Sequence, residues 1–278
     1  MAKKERIDVL LVEYGFFDSR EKAKRAIMAG LVFVEKERVD KAGTKIDVSA
    51  QIEVKGNRLN YVSRGGLKLE KAIRAFRLDL AGKTAIDVGA STGGFTDCML
   101  QHGVKKVYAV DVGYNQLAWK LRQDERVIVM ERVNFRYIDA AIFQEDKPSF
   151  ATVDVSFISL KLILPKVTEI ITNDGLVVAL VKPQFEAGKE DVGKKGIVRD
   201  QHVHMRVLDE MIVFALDLGF SVMGLTYSPV TGKDGNIEFL LLLKWNQEGR
   251  NMLTDQTESV VKDAHDHLNA DGYRRGET

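Results

Sequence analysis

Four charged residues stand where the chain reads as strand ends or helix starts. Lys182 follows the apolar run LVVALV (176–181) and is fixed there by Pro183. An ammonium at the end of a buried strand is costly unless it is paired or does something. Asp154 closes a second strand in TVDVSF, and Glu238 opens a later one in GNIEFLL. If that later strand runs antiparallel to the others, its start lies on the edge where they end. Lys68, in SRGGLKL, sits on the helix that opens the same segment. Each residue alone reads as a surface ion pair. Two of each sign at these positions predict instead a convergence beside one sheet edge. There, burial and a second ammonium would lower the lysine's pKa while the two carboxylates oppose the shift, and only the neutral amine can accept a proton.

The neighbouring motif narrows the chemistry. DVGASTGGFT (87–96) is a strand end, a glycine-rich turn and a helix start. Gly89, Gly93 and Gly94 let the backbone approach a ligand closely. The spacing is not the G-x-G-x-x-G dinucleotide fingerprint, and no Gly-Lys-Ser/Thr follows to make a phosphate loop. Asp111 ends the next strand roughly twenty residues on, where a carboxylate can accept hydrogen bonds from ribose hydroxyls. The combination suits a nucleoside without a pyrophosphate, such as S-adenosylmethionine. A plain strand-to-helix turn also uses glycine, so the loop alone does not decide.

These residues need a frame. From about residue 84 the chain alternates apolar strands (TAIDV, VYAVD, VIVME, FATVD, LVVALV) with helical segments, the longest being DQHVHMRVLDEMIVFALDLG. FSVMGLTY and NIEFLLLLKW close the pattern as strands. This predicts an α/β fold, a Rossmann-like doubly wound sheet with helices on both faces. Ligands of such sheets bind outside the carboxyl ends of the strands. GLKLEKAIRAFRL precedes it as a helix with Leu67, Leu69, Ile73 and Phe76 on its apolar side.

The front of the chain reads as a separate small α/β module. RIDVLLVEYG places Ile7, Leu10, Leu11 and Tyr14 at helical spacing, with Gly15 as the stop. DSREKAKRAIMAG opens on the cap signal Asp18-Ser19 and ends at Gly30, with Ala23, Ala26 and Ile27 inward. Short strands follow in LVFVEKERV and QIEVKG, separated by the turn-rich DKAGTKIDVSA. The expected boundaries are residues 1–57 for this module, 58–63 for a linker, 64–245 for the larger domain and 246–278 for a polar tail. Charge is uneven along the chain, with the excess of cations towards the front. Residues 1–79 hold 18 Lys/Arg against 12 Asp/Glu, whereas the whole chain is nearly balanced at 41 against 40. Arg20, Lys22, Lys24 and Arg25 crowd the second helix, which reads equally as an RNA-backbone contact or a solvated basic face.

Other features bound the answer. No apolar run approaches the roughly 18–20 residues that span a bilayer, and the N-terminus has no signal-peptide pattern. The single cysteine, Cys98, excludes an internal disulfide, fits a reducing cytosol and reads as a packing residue. His202 and His204, like His265 and His267, are two apart on expected helices and are expected at the surface rather than as ligands. Segment 186–200 (EAGKEDVGKKGIVRD) reads as a connector or as a lid, its lysines favouring a lid that contacts RNA. The tail is expected to form one polar helix and fray.

Two resemblances bring these readings together. Arg6, Asp8, Gly15, Ser19, Arg20, Ala23, Ile27, Gly30, Val32 and Val39 fill the pattern of the S-four-type RNA-binding domain over about residues 5–57. Leu31 is a mild departure, since that family has Gly-Val directly. The four charges resemble the Lys-Asp-Lys-Glu tetrad of FtsJ-type ribose methyltransferases, with SRGGLKL similar to their Ser-Arg-x-x-x-Lys-Leu start. The order of the two domains resembles the TlyA family, whose members were often labelled hemolysins.

That resemblance implies 2′-O-methylation of ribosomal RNA, at cytidine, with S-adenosylmethionine as methyl donor. Lys68, Asp154, Lys182 and Glu238 would be catalytic, with Lys182 as general base and Asp154 orienting it. Lys68 and Glu238 would hold the ribose and the ammonium. The cofactor site would use Asp87, Gly89, Ala90, Ser91, Thr92, Gly93, Gly94 and Phe95, with Asp111 and Asn134. RNA would be held by Arg6, Arg20, Lys22, Lys24, Arg25 and Arg64. No metal is required, the expected location is the cytoplasm, the partner is ribosomal RNA or a ribosomal subunit, and a monomer is the default. A membrane-active hemolysin and an RNA-binding assembly factor with an idle site are the rival readings.

Overall fold

A computed structural model describes residues 4–14, 16–17, 19–48, 50–54, 61–193, 195–232, 235–253 and 256–273. The chain divides into two compact units, Met1–Asn60 and Tyr61–Thr278. Gly15, Asp18 and residues 58–60 of the expected linker lie outside the described residues.

The first unit runs β1 (Lys4–Arg6), α1 (Ile7–Glu13), α2 (Arg20–Met28), β2 (Val32–Val34), β3 (Glu37–Arg38), β4 (Lys45–Asp47) and β5 (Ile52–Val54). Ser19 caps α2, its Oγ accepting from the Lys22 backbone N–H at 3.3 Å. The expected inward residues Ile7, Leu10, Leu11, Ala23, Ala26 and Ile27 are all buried. Tyr14 is not; its ring is exposed and its hydroxyl donates to the Val48 carbonyl. β1 and β4 pair antiparallel, although β4 lies in the stretch that reads as turn-rich and β1 runs into the expected first helix. At three residues each they are too short to show a period.

The second unit opens with α3 (Gly65–Phe76), β6 (Thr84–Val88), α4 (Gly94–Gln101), β7 (Lys106–Asp111), α5 (Trp119–Arg122) and β8 (Val127–Glu131). It continues through β9 (Phe150–Val153), α6 (Leu164–Ile170), β10 (Leu176–Val181), α7 (Pro183–Glu186) and α8 (Gln201–Asp217). β11 (Phe220–Tyr227), β12 (Phe239–Trp245) and α9 (Gln256–Tyr273) complete it. The seven strands are ordered β11-β12-β10-β9-β6-β7-β8. β12 runs antiparallel to both neighbours, and β10, β9, β6, β7 and β8 are parallel to one another. Apolar runs suit such strands because both faces are covered. In β10, Val177, Ala179 and Val181 enter one core while Val178 and Leu180 enter the other. Cys98 packs in the second core, where burial pushes its thiol up to about 12.

Three expectations are corrected here. Tyr61, placed in the linker, is buried, and a Cβ added at Gly66 would fall 2.3 Å from its ring. The tail forms the expected helix, α9, but it is packed rather than free, with Val261 and Ala264 buried. His204 and His265 are not surface residues: both are buried, and His204 Nδ1 lies 2.9 Å from His265 Nε2. The pair joins α8 to α9 across 61 residues of chain, and no local pattern records such a contact.

Candidate active site

Sheet topology brings the four charges together. β9 and β10 are parallel, so Asp154 and Lys182 leave the sheet at the same edge. β12 is antiparallel to β10 in a register that pairs Val181 with Phe239, which sets Glu238 beside Lys182. α3 delivers Lys68 from its first two turns. Lys182 Nζ lies 2.5 Å from Asp154 Oδ1, and Lys68 Nζ lies 2.6 Å from Glu238 Oε2. Asp154 Oδ2 is 3.9 Å from Lys68 Nζ and links the two pairs. Lys68, Lys182 and Glu238 are each less than 9% exposed, while the Asp154 side chain is 20% exposed. Charges this buried must be paired to be tolerated. The alternating row Glu238–Lys68–Asp154–Lys182 meets that condition.

A cleft of about 250 Å³ adjoins the row, with Lys68 and Asp154 in its wall. Its floor is the glycine loop: Gly89, Ala90, Ser91 and Thr92, then Gly94 and Phe95 at the start of α4. Ser63, Arg64 and Gly65, at the start of α3, form the opposite wall. Gly89 is required by geometry. Its φ is +86°, and a Cβ there would fall 2.5 Å from the Asp154 carbonyl oxygen. The loop therefore passes against the strand end that carries Asp154.

The expected cofactor residues divide into two groups. Those in the loop line the cleft, except Gly93, whose missing Cβ points at Leu121 and Leu117. Asp87 lies beneath the loop, fully buried, accepting hydrogen bonds from Thr96 Oγ1 at 2.7 Å and Thr152 Oγ1 at 2.9 Å. Burial pushes its carboxyl up to about 6, against those hydrogen bonds. It is a support, not part of the lining. Asp111 also acts through the loop: it accepts from the Ser91 N–H at 2.8 Å and the Gly113 N–H at 2.7 Å. Asn134 does not line the cleft; its side chain caps a short turn by accepting from the Arg136 N–H.

Sequence reasoning missed several neighbours of the row. Lys182 Nζ also donates to Ser156 Oγ at 3.0 Å. Phe157 is 88% exposed on a left-handed turn (φ +64°), with its ring centroid 5.2 Å from that of Phe185. These two rings, with Arg136, Ile158, Ser159 and Leu162, line a second, more open cleft. Ser156, Phe157 and Phe185 each stand two or three residues after a strand-end charge. Inspecting residues just past each carboxyl end was the available signal. Segment 186–200 is anchored near its end. Ile197 and Val198 are buried, and Asn236 accepts from the Val198 N–H at 3.1 Å and donates to the Gly196 carbonyl at 2.9 Å.

In the first unit, the outer face of α2 carries Arg20, Lys22, Lys24 and Arg25, all exposed. Two of the expected RNA contacts are partly committed elsewhere. Arg6 and Arg20 both bind Asp8 at 2.9 Å, and Asp8 is fully buried. The Arg6 hydrogen bond, reinforced by Arg20, holds that carboxyl down at about 2. Arg25 pairs with Glu21 at 2.9 Å. Arg64 belongs to the other unit, in the wall of the cofactor-sized cleft.

Comparison with known proteins agrees with this division. Residues 61–245 match the FtsJ-like methyltransferase family, and residues 5–52 match the S4 domain. The Bacillus subtilis (strain 168) protein YqxC is 60% identical over 96% of both chains. The Mycobacterium tuberculosis (strain ATCC 25618 / H37Rv) 16S/23S rRNA (cytidine-2′-O)-methyltransferase TlyA is 40% identical over 88% of this chain and 91% of its own. A solved structure of a Streptococcus thermophilus protein superposes with a TM-score of 0.78 at 53% identity, covering 98% of this chain and 100% of that one. The chain thus belongs to the TlyA family and is a methyltransferase, an S4 domain followed by an FtsJ-like methyltransferase domain.

Proposed function

We propose that this enzyme methylates the 2′-oxygen of a ribose, at cytidine, in ribosomal RNA, with S-adenosylmethionine as donor and Lys182 as general base. The observation that carries the reading is the buried row Glu238–Lys68–Asp154–Lys182 at the rim of a nucleoside-sized cleft. Ribosomal RNA and cytidine are supported by the activity for which the Mycobacterium tuberculosis relative is named.

The cleft suits the donor. Backbone from Gly89 to Thr92 is bare enough for close approach, and Asp111 fixes that backbone through the Ser91 N–H. Bound S-adenosylmethionine would supply a methyl carbon that leaves sulfur without its bonding electrons as the ribose oxygen takes it. A ribose hydroxyl is a weak nucleophile, so the protein's part is to take its proton and hold it in line. Lys182 Nζ receives that proton as the neutral amine. Asp154 then holds the resulting ammonium, and Lys68 with Glu238 fixes Asp154 from the other side. The Phe157 and Phe185 rings present aromatic faces on which the base of the target nucleotide can stack. Such stacking is worth about 1–3 kcal/mol per base.

Among the described residues no helix is long and apolar enough to cross a membrane. The test is to map 2′-O-methylated riboses in ribosomal RNA from cells with and without the gene. A cytidine methylation that disappears with the gene, and that purified enzyme restores with labelled S-adenosylmethionine, supports the reading. Unchanged maps together with no transfer to unmodified subunits would overturn it.

A further inference from the structure

Lys182 has a second partner besides Asp154. Its Nζ donates to Ser156 Oγ at 3.0 Å as well as lying 2.5 Å from Asp154 Oδ1. A neutral amine has two N–H bonds and one lone pair. If it is to act as a base, the lone pair must face the incoming hydroxyl, not a carboxylate or bulk water. Two acceptors at fixed positions meet that need, because each takes one N–H and only the third direction is left open.

We propose that Ser156 is a positioning residue for the base: its hydroxyl and the Asp154 carboxylate occupy both N–H bonds of the Lys182 amine and aim the lone pair at the ribose 2′-hydroxyl. This rests on the general-base reading of Lys182. In the proton-transfer step the O–H bond breaks and an N–H bond forms. The third proton of the ammonium lies where the lone pair was, and the oxygen keeps the electron pair that attacks the methyl carbon.

Ser156 is exposed, but the backbone on either side of it is tied down. The Asp154 N–H donates to the Val88 carbonyl at 2.9 Å, which fixes the segment at one end. The left-handed turn at Phe157 reverses it just after Ser156. Glu186 then accepts from Ser159 Oγ at 2.5 Å and from the Leu160 N–H at 2.7 Å. Glu186 ends α7, which starts immediately after Lys182. One carboxylate therefore ties the stretch carrying Ser156 to the stretch carrying the lysine, and both ends of the Lys182–Ser156 bond sit in one frame.

The experiment compares wild type, Ser156→Ala, Ser156→Thr, Lys182→Ala and the double variant in single-turnover methyl transfer to ribosomal subunits lacking the modification. Melting temperature, S-adenosylmethionine affinity and RNA affinity are measured for each. Misaimed reacting groups cost up to about 100-fold. Ser156→Ala is expected to lower the saturated rate roughly 10- to 100-fold with both affinities within about twofold, and Ser156→Thr to restore it. In the Lys182→Ala background, Ser156→Ala should change nothing further, because its effect passes through the amine. A Ser156→Ala rate within about twofold of wild type, with Lys182→Ala slowed by about 100-fold or more, would overturn this inference alone. An active Lys182→Ala would overturn the base assignment and the inference with it. A loss that Ser156→Thr does not repair, or that persists in the double variant, would show a packing role instead.

Discussion

Acidification should loosen the second unit through the His204–His265 contact, and the size of the effect can be worked out. Burial first, and the neighbouring His265 second, bring His204 down from 6.5 to about 4, while a backbone hydrogen bond to Val198 and then Asp200 oppose. His265 is also lowered, chiefly by burial. Between those values the unfolded chain binds a proton that the folded chain refuses, so stability is lost as pH falls through 6.5 towards 4. At 1.36 kcal/mol per pH unit the whole interval is worth about 3 kcal/mol, and a step from pH 7 to pH 5 about 2 kcal/mol. The buried carboxyl of Asp87 has the opposite sign. It rises from 3.8 to about 6, so the same acidification returns about 1 kcal/mol. The net slope of wild type is therefore shallow, and only a difference is diagnostic. His204→Gln keeps a hydrogen-bonding side chain but cannot titrate. Both tryptophans, Trp119 and Trp245, lie in the second unit, so their fluorescence in urea reports its unfolding. The stability gap between wild type and His204→Gln should shift by about 2 kcal/mol against wild type between pH 7 and pH 5. A gap independent of pH would show that His204 binds its proton equally well folded and unfolded.

Three further outcomes follow from the site and the first unit. A Cβ at Gly232 would fall 2.3 Å from Glu238 Oε1, so Gly232→Ala should push Glu238 off Lys68 and lower the saturated rate about tenfold or more with donor affinity retained; a wild-type rate in single-turnover assays would contradict that. Removing residues 1–60 should leave a domain that binds S-adenosylmethionine but holds ribosomal RNA poorly. Lys22→Ala with Lys24→Ala should flatten the salt dependence by about 0.7–0.9 per lost phosphate contact. Filter binding across a salt series checks both, and unchanged affinity and slope would show that the first unit does not hold RNA.

Much of the frame was legible because it is local. The alternation of apolar strands with helices predicted the sheet, and three of the four charges were found simply as the residue after, or before, an apolar run. Placing Glu238 needed one topological assumption, that its strand is antiparallel, and β12 meets it. What escaped was long-range or dihedral. Nothing near Ser156 announces that Lys182, 26 residues away, will donate to it. The turn at Phe157 uses a left-handed conformation that bulky residues seldom adopt, so pattern reading had no reason to expose that ring. Arg6 and Arg20 were read by charge alone; the buried Asp8 that binds both could be recognised only once α1 and α2 were packed. α9 looked polar because, among its described residues, Val261, Ala264 and His265 are buried and Val260 and Leu268 partly so, too narrow a stripe to outweigh its acidic surface.

The central claim is that Lys182 takes the proton from the ribose hydroxyl. Its most direct test is the single-turnover rate of methyl transfer to unmodified ribosomal subunits by wild type and Lys182→Ala, with S-adenosylmethionine affinity measured for both by calorimetry. Lys182 lies outside the lining of the cofactor-sized cleft, so affinity should change little. A positioned base contributes about 10²- to 10⁴-fold, and the rate should fall by at least that much. A Lys182→Ala enzyme that binds the donor normally and methylates at close to the wild-type rate would contradict the account.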